Sequence, residues 1–211
     1  MTYTVKEIYY TLQGEGGNVG RASVFLRFTG CTLWSGREVD RAGAVCKFCD
    51  TDFNGTNGPS GGKYRTSESL ADAVQAQWPI ETSGPRLVVC TGGEPLLQLD
   101  PPLIQALKER GFEVAVETNG TVSAPDGIDW LCVSPKEGAP LNQLSGHELK
   151  LVFPQAGAMP EQFEHLDFDR FLLQPMDGPD QASNTKATLE YCLAHPQWRF
   201  SLQTHKVLGL R

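Results

Sequence analysis

Short apolar runs recur along the chain and alternate with segments of helical periodicity. Each run has five to seven residues and is rich in Val, Leu or Phe. Runs of this length and composition predict β-strands. The predicted strands cover residues 24–28, 86–90, 112–117, 129–134, 148–153, 170–175 and 198–204.

Three segments between these runs have the spacing of amphipathic helices. Residues 66–78 place apolar side chains four positions apart, which puts them on one helical face. Asp100 precedes a second helix as its N-cap, with Pro101 in the first turn and Gly111 as the stop. The third predicted helix covers residues 183–194.

The alternation of strands and helices predicts an α/β fold built on parallel strands that are buried on both faces. A closed eight-fold barrel needs about 250 residues, whereas this chain has 211. We therefore expect a partial, open (β/α) TIM-like barrel of about six parallel strands with a reduced helix complement, in one domain that spans residues 1–211. Residues 54–63, rich in Gly, Asn, Pro and Ser, predict an irregular loop.

Polar residues and glycines gather where the predicted strands end. Residues 86–90 run into TGGEP, 112–117 into TNG, 129–134 into PKEG, 170–175 into MDG, and 198–204 into HK. Because the carboxyl ends of parallel strands share one face of the fold, we expect the functional site there.

Composition excludes several classes of function. The hydrophobic fraction of 40% and the charged fraction of 20% are typical of a globular protein, and the net charge of −7 is spread along the chain. A binder of duplex DNA or of membrane surfaces would show a basic stripe, while a small anionic substrate needs only a few local cations. No apolar run approaches the roughly 20 residues of a membrane helix, and the N-terminus lacks the features of a signal peptide. We expect a cytoplasmic protein that binds neither nucleic acid nor membrane.

Three of the six cysteines lie in one loop, where Cys31 precedes the pair Cys46 and Cys49 by a gap of 14 residues. A structural zinc site would need a fourth ligand, and a distant one stays an alternative. Three thiolates suit a metal centre with an open position, such as a [4Fe–4S] cluster that keeps one iron for a non-protein ligand. A cytoplasmic chain of this length does not need disulfides. The remaining cysteines lie in apolar patterns and are expected in the core: Cys90, Cys132 and Cys192.

The motif CKFC (46–49) resembles the latter half of the cluster loop of radical S-adenosylmethionine (SAM) enzymes, and TGGEP (91–95) resembles their SAM-binding motif. The longer gap after Cys31 departs from the usual three residues. Further blocks (YTLQGEG, CDTDF, ETNG, VSPK, QPMDG and QTHK) make the whole chain similar to one family, the 7-carboxy-7-deazaguanine synthases. In this family the long gap is an insertion, and we expect residues 32–45 to form a short surface helix.

The resemblance implies the chemistry. The family converts 6-carboxy-5,6,7,8-tetrahydropterin to 7-carboxy-7-deazaguanine with loss of ammonia, on the pathway to queuosine and other 7-deazapurines. A [4Fe–4S] cluster, SAM and Mg²⁺ are the implied cofactors. A homodimer and an electron donor such as flavodoxin are the implied partners.

The resemblance also implies roles for individual residues. Arg27, inside the strand at 24–28, would bind the substrate carboxylate through two N–H groups of its guanidinium. The other implied substrate-binding residues are Leu12, Gln13, Gly14, Glu15, Thr91, His205 and Arg211. The implied SAM-binding residues are Gly92, Gly93, Glu94, Glu117, Ser134, Pro135, Lys136, Gln174, Pro175, Met176 and Asp177.

The magnesium ligand depends on the resemblance more than on the residues. The hard cation Mg²⁺ prefers carboxylate oxygens, so the residues alone favour Asp50 or Asp52. The family ligand instead corresponds to Thr51. Two other functions stay open: a radical SAM activase that acts on a glycine of a partner protein, and a non-catalytic zinc or iron–sulfur protein.

Overall fold

The structure, a computed structural model, describes residues 2–80 and 83–210. Its helices are α1 (Ser67–Gln75), α2 (Pro101–Glu109), α3 (Gln181–Ala194) and α4 (Thr204–Leu208). Its strands are β1 (Tyr3–Leu12), β2 (Ala22–Phe28), β3 (Gly62–Tyr64), β4 (Arg86–Gly92), β5 (Phe112–Thr118), β6 (Trp130–Val133), β7 (Ser145–Gly146), β8 (Glu148–Phe153), β9 (Asp167–Phe168), β10 (Phe171–Pro175) and β11 (Trp198–Phe200).

One large open sheet dominates the described part of the chain, in the order β11-β10-β8-β6-β5-β4-β2-β1-β3. All neighbours from β2 to β11 pair in parallel, which makes a run of seven strands among the described residues. β1 is antiparallel to β2, and β3 is antiparallel to β1. β7 and β9 form a separate two-stranded sheet. The predicted α/β class with an open, mostly parallel sheet is confirmed.

The helices α1 and α2 form where their caps and apolar spacing predict them. Thr66 caps α1 by accepting a hydrogen bond from the backbone N–H of Ser69 at 3.1 Å. Asp100 caps α2 in the same way, through the N–H of Leu103, and Gly111 follows the helix with a positive φ of 78°. These local signals mark the start of α1 and both ends of α2 before any tertiary contact is considered.

The two faces of the sheet differ. Val88 and Cys90 of β4 belong to the main core beneath α1, α2 and α3, while Leu87 and Val89 point to the opposite face. That opposite face carries only a small apolar cluster, which Ala115 of β5 completes. Because side chains alternate along a strand, polar residues one position out of phase with the main core lie on this second face. Among the described residues, no helix is long and apolar enough to cross a membrane.

Two sequence expectations fail locally. β11 ends at Phe200 instead of continuing to residue 204, and the chain enters α4. The predicted loop at 54–63 ends in a strand, because Gly62 and Lys63 pair with β1. Both differences depend on contacts with the N-terminal segment, which local patterns do not report.

Candidate functional site

The polar side of the sheet collects one side chain from each of several parallel strands. Arg27 on β2, Thr91 on β4, Glu117 on β5, Lys150 on β8 and Gln174 on β10 each directly follow or precede a residue of the main core. Arg27 and Thr91 are partners in the β2–β4 register. The alternation of the strands therefore places these groups on one face, as the carboxyl-end argument predicts.

A cavity of about 450 Å³ lies at this face. Its wall contains all the described residues that the resemblance implies for substrate binding, namely Leu12, Gln13, Gly14, Glu15, Arg27, Thr91 and His205. Thr51 lines the same cavity. Arg211 lies outside the described residues. Seven positions that are scattered over most of the sequence thus meet in one cavity.

Arg27 is held at the wall by the edge strand beside it. Its Nε donates to Glu7 Oε1 at 2.9 Å, and its Nη2 donates to the hydroxyl of Tyr9 at 3.1 Å. Burial would lower the pKa of Arg27, but these β1 partners raise it above its usual value. The side chain is a fixed cation that suits a carboxylate ligand.

The N-terminal turn and the C-terminal segment close this cavity together. The backbone N–H of Thr204 donates to the carbonyl of Gly14 at 2.9 Å. A Cβ on Gly14 would lie 2.3 Å from Nδ1 of His205, so only glycine permits this approach. His205 belongs to α4, so it lies on a helix and does not directly follow a strand as the sequence predicted. Burial lowers its pKa, against the attraction of Glu15.

A second cavity of about 190 Å³ adjoins the first. Its wall contains two of the loop cysteines and most of the residues implied for SAM: Cys46, Cys49, Gly92, Gly93, Glu117, Ser134, Lys136, Gln174, Pro175 and Asp177. Glu15, Asp50, Thr51, Glu117 and Gln203 line both cavities. The two sets of implied residues thus face two compartments with a common wall.

Three residues implied for SAM lie off these walls, namely Glu94, Pro135 and Met176. Glu94 is fully buried, and its carboxylate accepts hydrogen bonds from Thr118 Oγ1 and from the backbone N–H groups of Leu96 and Asn119. The structure does not place its charge at either cavity. The carboxylate instead ties the end of β4 to the end of β5.

The cysteine loop is held by residues of the insertion. Arg41 donates from Nη1 to the carbonyls of Lys47 and Cys49, at 2.9 and 3.1 Å, and its guanidinium lies 4.1 Å from the ring centre of Trp34. Residues Glu38–Gly43 form a 3₁₀ helix, so the expected short helix is present in the tighter form.

All six cysteines are free thiols. A hydrogen bond from Cys46 lowers the pKa of Cys49 to about 6 and raises that of Cys46. Lys136, also at this cavity, further favours the thiolate forms. Cys90 and Cys132 are fully buried, and Cys192 is partly buried against the core, as predicted.

The donor set of the cysteine loop suits a cluster with an open position. Cys46 and Cys49 share a hydrogen bond and line the smaller cavity, and Cys31 lies beside Gly93 at the end of β4. Three thiolates of a [4Fe–4S] cluster leave one iron for a non-protein ligand, whereas a structural zinc ion would need a fourth protein ligand.

The oxygen atoms beside the loop fit a hard cation. Thr51 lies on the common wall with Asp50, and Asp52 lines the larger cavity. Both carboxylates already pair with lysines, Asp50 with Lys206 and Asp52 with Lys6. A hydroxyl with two neighbouring carboxylates suits Mg²⁺, which keeps most of its water ligands.

Sequence reasoning missed several wall residues. Lys150 lines the smaller cavity and stands in the apolar strand ELKLVF, with the same signal that identified Arg27 in VFLRF: a charged residue inside a buried strand. Lys6 and Glu7 belong to β1, which was not predicted as a strand. Gln203 and Lys206 depend on α4, for which the local pattern gave no indication.

Comparison with known proteins gives full-length relatives. The 7-carboxy-7-deazaguanine synthase of Caulobacter vibrioides is 68% identical over 212 residues, and that of Bradyrhizobium diazoefficiens is 64% identical over 211; each alignment covers 100% of both chains. Among solved structures, the crystal structure of QueE from Escherichia coli superposes with a TM-score of 0.70 at 26% identity, over 96% of this chain and 94% of that one. No family model matches the chain. Identity of this extent over all of both aligned sequences shows that the protein belongs to the 7-carboxy-7-deazaguanine synthase family.

Proposed function

We propose that the protein converts 6-carboxy-5,6,7,8-tetrahydropterin to 7-carboxy-7-deazaguanine with release of ammonia, as a radical SAM lyase of queuosine and 7-deazapurine biosynthesis. The observation that carries the proposal is the pair of adjoining cavities with a common wall. One cavity contains the cysteine pair and the other contains Arg27. An enzyme that passes a radical from a cofactor to a substrate needs two such compartments in contact.

Each wall has the chemistry that its ligand requires. In the larger cavity Arg27 binds the substrate carboxylate, and Gln13 and Glu15 offer acceptors to the N–H groups of the guanidine-like edge. Glu117, which the resemblance implies for SAM, lines both cavities and so offers an acceptor to the substrate as well. Thr51 lies between the compartments, where a bound Mg²⁺ would contact the substrate. Thr91 and His205 complete the polar wall.

The smaller cavity suits SAM and an iron–sulfur cluster. Cys31, Cys46 and Cys49 would hold a [4Fe–4S] cluster, which supplies the electron for reductive cleavage of SAM. Ser134, Lys136, Gln174 and Asp177 offer hydroxyl, ammonium, amide and carboxylate groups to the polar parts of SAM. Gly92 and Gly93 leave the wall free of side chains beside the cysteine loop.

The same proposal covers the wider context of the enzyme. We place it in the cytoplasm as a homodimer that receives electrons from a donor such as flavodoxin, with one radical SAM domain over residues 1–211. Relatives that align with the whole of residues 1–211 support the single domain.

An anaerobic turnover assay tests the function. Reconstituted protein should contain about four irons per chain and should form 7-carboxy-7-deazaguanine from the pterin, SAM, Mg²⁺ and a reductant, as detected by mass spectrometry. Cys31→Ala should remain folded and lose turnover, because it removes one thiolate ligand. Cys192→Ala is the matched control and should retain turnover, since Cys192 lies on α3 outside the loop.

Other outcomes identify the alternatives. Stoichiometric zinc without iron would contradict both enzyme hypotheses. Cleavage of SAM that leaves the pterin unchanged would favour an activase that acts on a protein glycine.

A further inference from the structure

A closed ring of hydrogen bonds surrounds Lys150 in the wall between the two cavities. Its ammonium donates to Glu15 Oε2 at 2.7 Å and to Glu117 Oε2 at 2.9 Å. Gln13 Nε2 donates to Glu117 Oε1, and Gln13 Oε1 accepts from the backbone N–H of Glu15. Gln203 Nε2 donates to the remaining oxygen of Glu15. Each carboxylate therefore has one oxygen on Lys150 and the other on an amide.

The ring lies at the contact between the compartments. Glu15 and Glu117 line both cavities, whereas Lys150 reaches only the smaller one. The Lys150 side chain is 4% exposed, and the two carboxylate side chains are 19% and 20% exposed. The ammonium is thus more deeply buried than the two carboxylates, and the carboxylates face both cavities.

The charges in this wall depend on Lys150. Glu148 and Cys132 lie beside Glu117, with ligand atoms within 4.8 Å of one another. The Lys150 ammonium bonds Glu15 and Glu117 and also attracts Glu148 electrostatically. Burial raises the pKa of Glu117, and the attraction of Lys150 opposes that rise. Burial also acts to raise the pKa of Glu15, but the charge and hydrogen bond of Lys150 lower it to about 2. Carboxylates this close repel each other when the compensating cation is absent.

The Glu117–Cys132–Glu148 group is therefore not a vacant metal site. The ammonium that bonds Glu117 already offsets part of the group's negative charge. Glu148 also accepts a hydrogen bond from the backbone N–H of Gly17 at 2.7 Å. These contacts make the group part of the support for Lys150.

We propose that Lys150 is a positioning residue for the reaction: its ammonium keeps Glu15 and Glu117 ionised and oriented toward the N–H groups of the substrate. The inference rests on the proposed function, because it assigns the substrate to the larger cavity. Lys150 acts through the two carboxylates and does not itself contact the pterin. Neither a cluster ligand nor a residue of the cysteine loop takes part.

Three variants of the reconstituted enzyme test the proposal. Lys150→Met removes the charge at similar length, and Lys150→Arg retains it. Lys108→Met is the matched control, since Lys108 forms a more exposed pair with Asp129 away from both cavities. The measurements are iron per chain, kcat/KM for the pterin over a range of pH, and calorimetric binding of the product 7-carboxy-7-deazaguanine.

We expect Lys150→Met to retain its iron, to lose at least about 100-fold in kcat/KM, and to bind the product at least about tenfold more weakly, because two buried carboxylates lose their counter-charge. The acid limb of its pH profile should move to higher pH, since without the ammonium both carboxylates ionise only at higher pH. Lys150→Arg should restore the position of that limb, and Lys108→Met should match the wild type.

A Lys150→Met enzyme with the wild-type pH profile and product affinity would overturn the assignment. If Lys150→Met does not fold, Lys150→Arg decides alone: a wild-type acid limb supports the proposal, and a limb moved to higher pH contradicts it. A wild-type enzyme that does not convert the pterin overturns the proposed function and this inference with it. Wild-type turnover together with an unaffected Lys150→Met overturns this inference only.

Discussion

At the scale of single residues, Gly93 shows why the strand-end glycines are needed. A Cβ on Gly93 would lie 2.0 Å from the carbonyl oxygen of Gly30 and 2.9 Å from Cβ of Cys31. Gly92 has a φ of +139°, and a Cβ there would lie 2.2 Å from the carbonyl oxygen of Phe28. The resemblance implies that these glycines bind SAM. The structure gives them a second use, because they let the cysteine loop pass directly over the end of β4.

Gly93→Ala should displace Cys31 because the loop backbone must move away from the new methyl group. We expect a folded protein that is less stable by about 1–3 kcal/mol, with less than stoichiometric iron after reconstitution. Chemical denaturation and iron analysis measure the two effects. Gly43→Ala is the control, since Gly43 has open space around it and no positive φ; equal iron loss in both variants would contradict this reading.

At the scale of elements, the insertion acts as a clasp on the cysteine pair. The 3₁₀ helix Glu38–Gly43 presents Arg41 to the carbonyls on either side of Phe48, while Trp34 supports the guanidinium. A loop with three cysteines and a long gap would otherwise be free to open. The insertion therefore compensates for the spacing that departs from the usual motif.

Arg41→Ala should loosen this clasp and speed the loss of iron to a chelator, because two hydrogen bonds to the loop backbone disappear. Arg37→Ala is the matched control from the same insertion, as Arg37 pairs with Asp40 on an exposed surface. Absorbance near 400 nm, followed over time with chelator, measures the release. Equal release rates in the two variants would refute the clasp.

The elements also show what a sequence can predict. α1, α2 and most parallel strands follow from caps, periodicity and composition that lie within a few residues. β1 was not predicted because Lys6 and Glu7 interrupt its apolar pattern, and a register shift between Val5 and Glu7 accommodates them. α4 begins where Thr204 bonds Gly14, a contact between distant parts of the chain. Local sequence patterns do not predict such a contact.

The residues of the candidate site also divide into those that local patterns predict and those that depend on distant contacts. Residues at the ends of predicted strands were found, and most of them line the cavities. Lys150 could have been predicted from its charge inside an apolar strand. Gln203 and Lys206 could not have been predicted without α4, which brings them to the cavity. Glu94 matches its motif but lies in the interior, because a motif gives residue type and spacing and not the direction of a side chain.

At the scale of the whole molecule, Lys206 joins three parts of the fold. Its ammonium, on α4, pairs with Asp50 beside the cysteine loop and with Asp177 Oδ2 after β10, the latter at 2.5 Å. Asp50 lines both cavities and Asp177 lines the smaller one. One side chain therefore couples the wall of the larger cavity to the wall of the smaller one.

Lys206→Met should raise KM for both the pterin and SAM, by up to roughly tenfold each, because two partly exposed ion pairs are lost. The smaller effect should be on kcat, since the cysteines and the Lys150 ring remain. Lys186→Met is the control, as Lys186 forms only an exposed pair with Glu190 within α3. Steady-state kinetics with each ligand varied in turn measure both constants, and an increase confined to one ligand would contradict the coupling.

The contact between Gly14 and Thr204 has a consequence for the order in which the protein is made. Translation delivers the three thiols of residues 31–49 early, and it delivers α4 after all the other described elements. A nascent chain therefore presents its cysteines while the larger cavity still lacks one wall. No fragment without residues 203–206 can contain that cavity complete, so the larger cavity forms last, however early the cysteine loop has emerged.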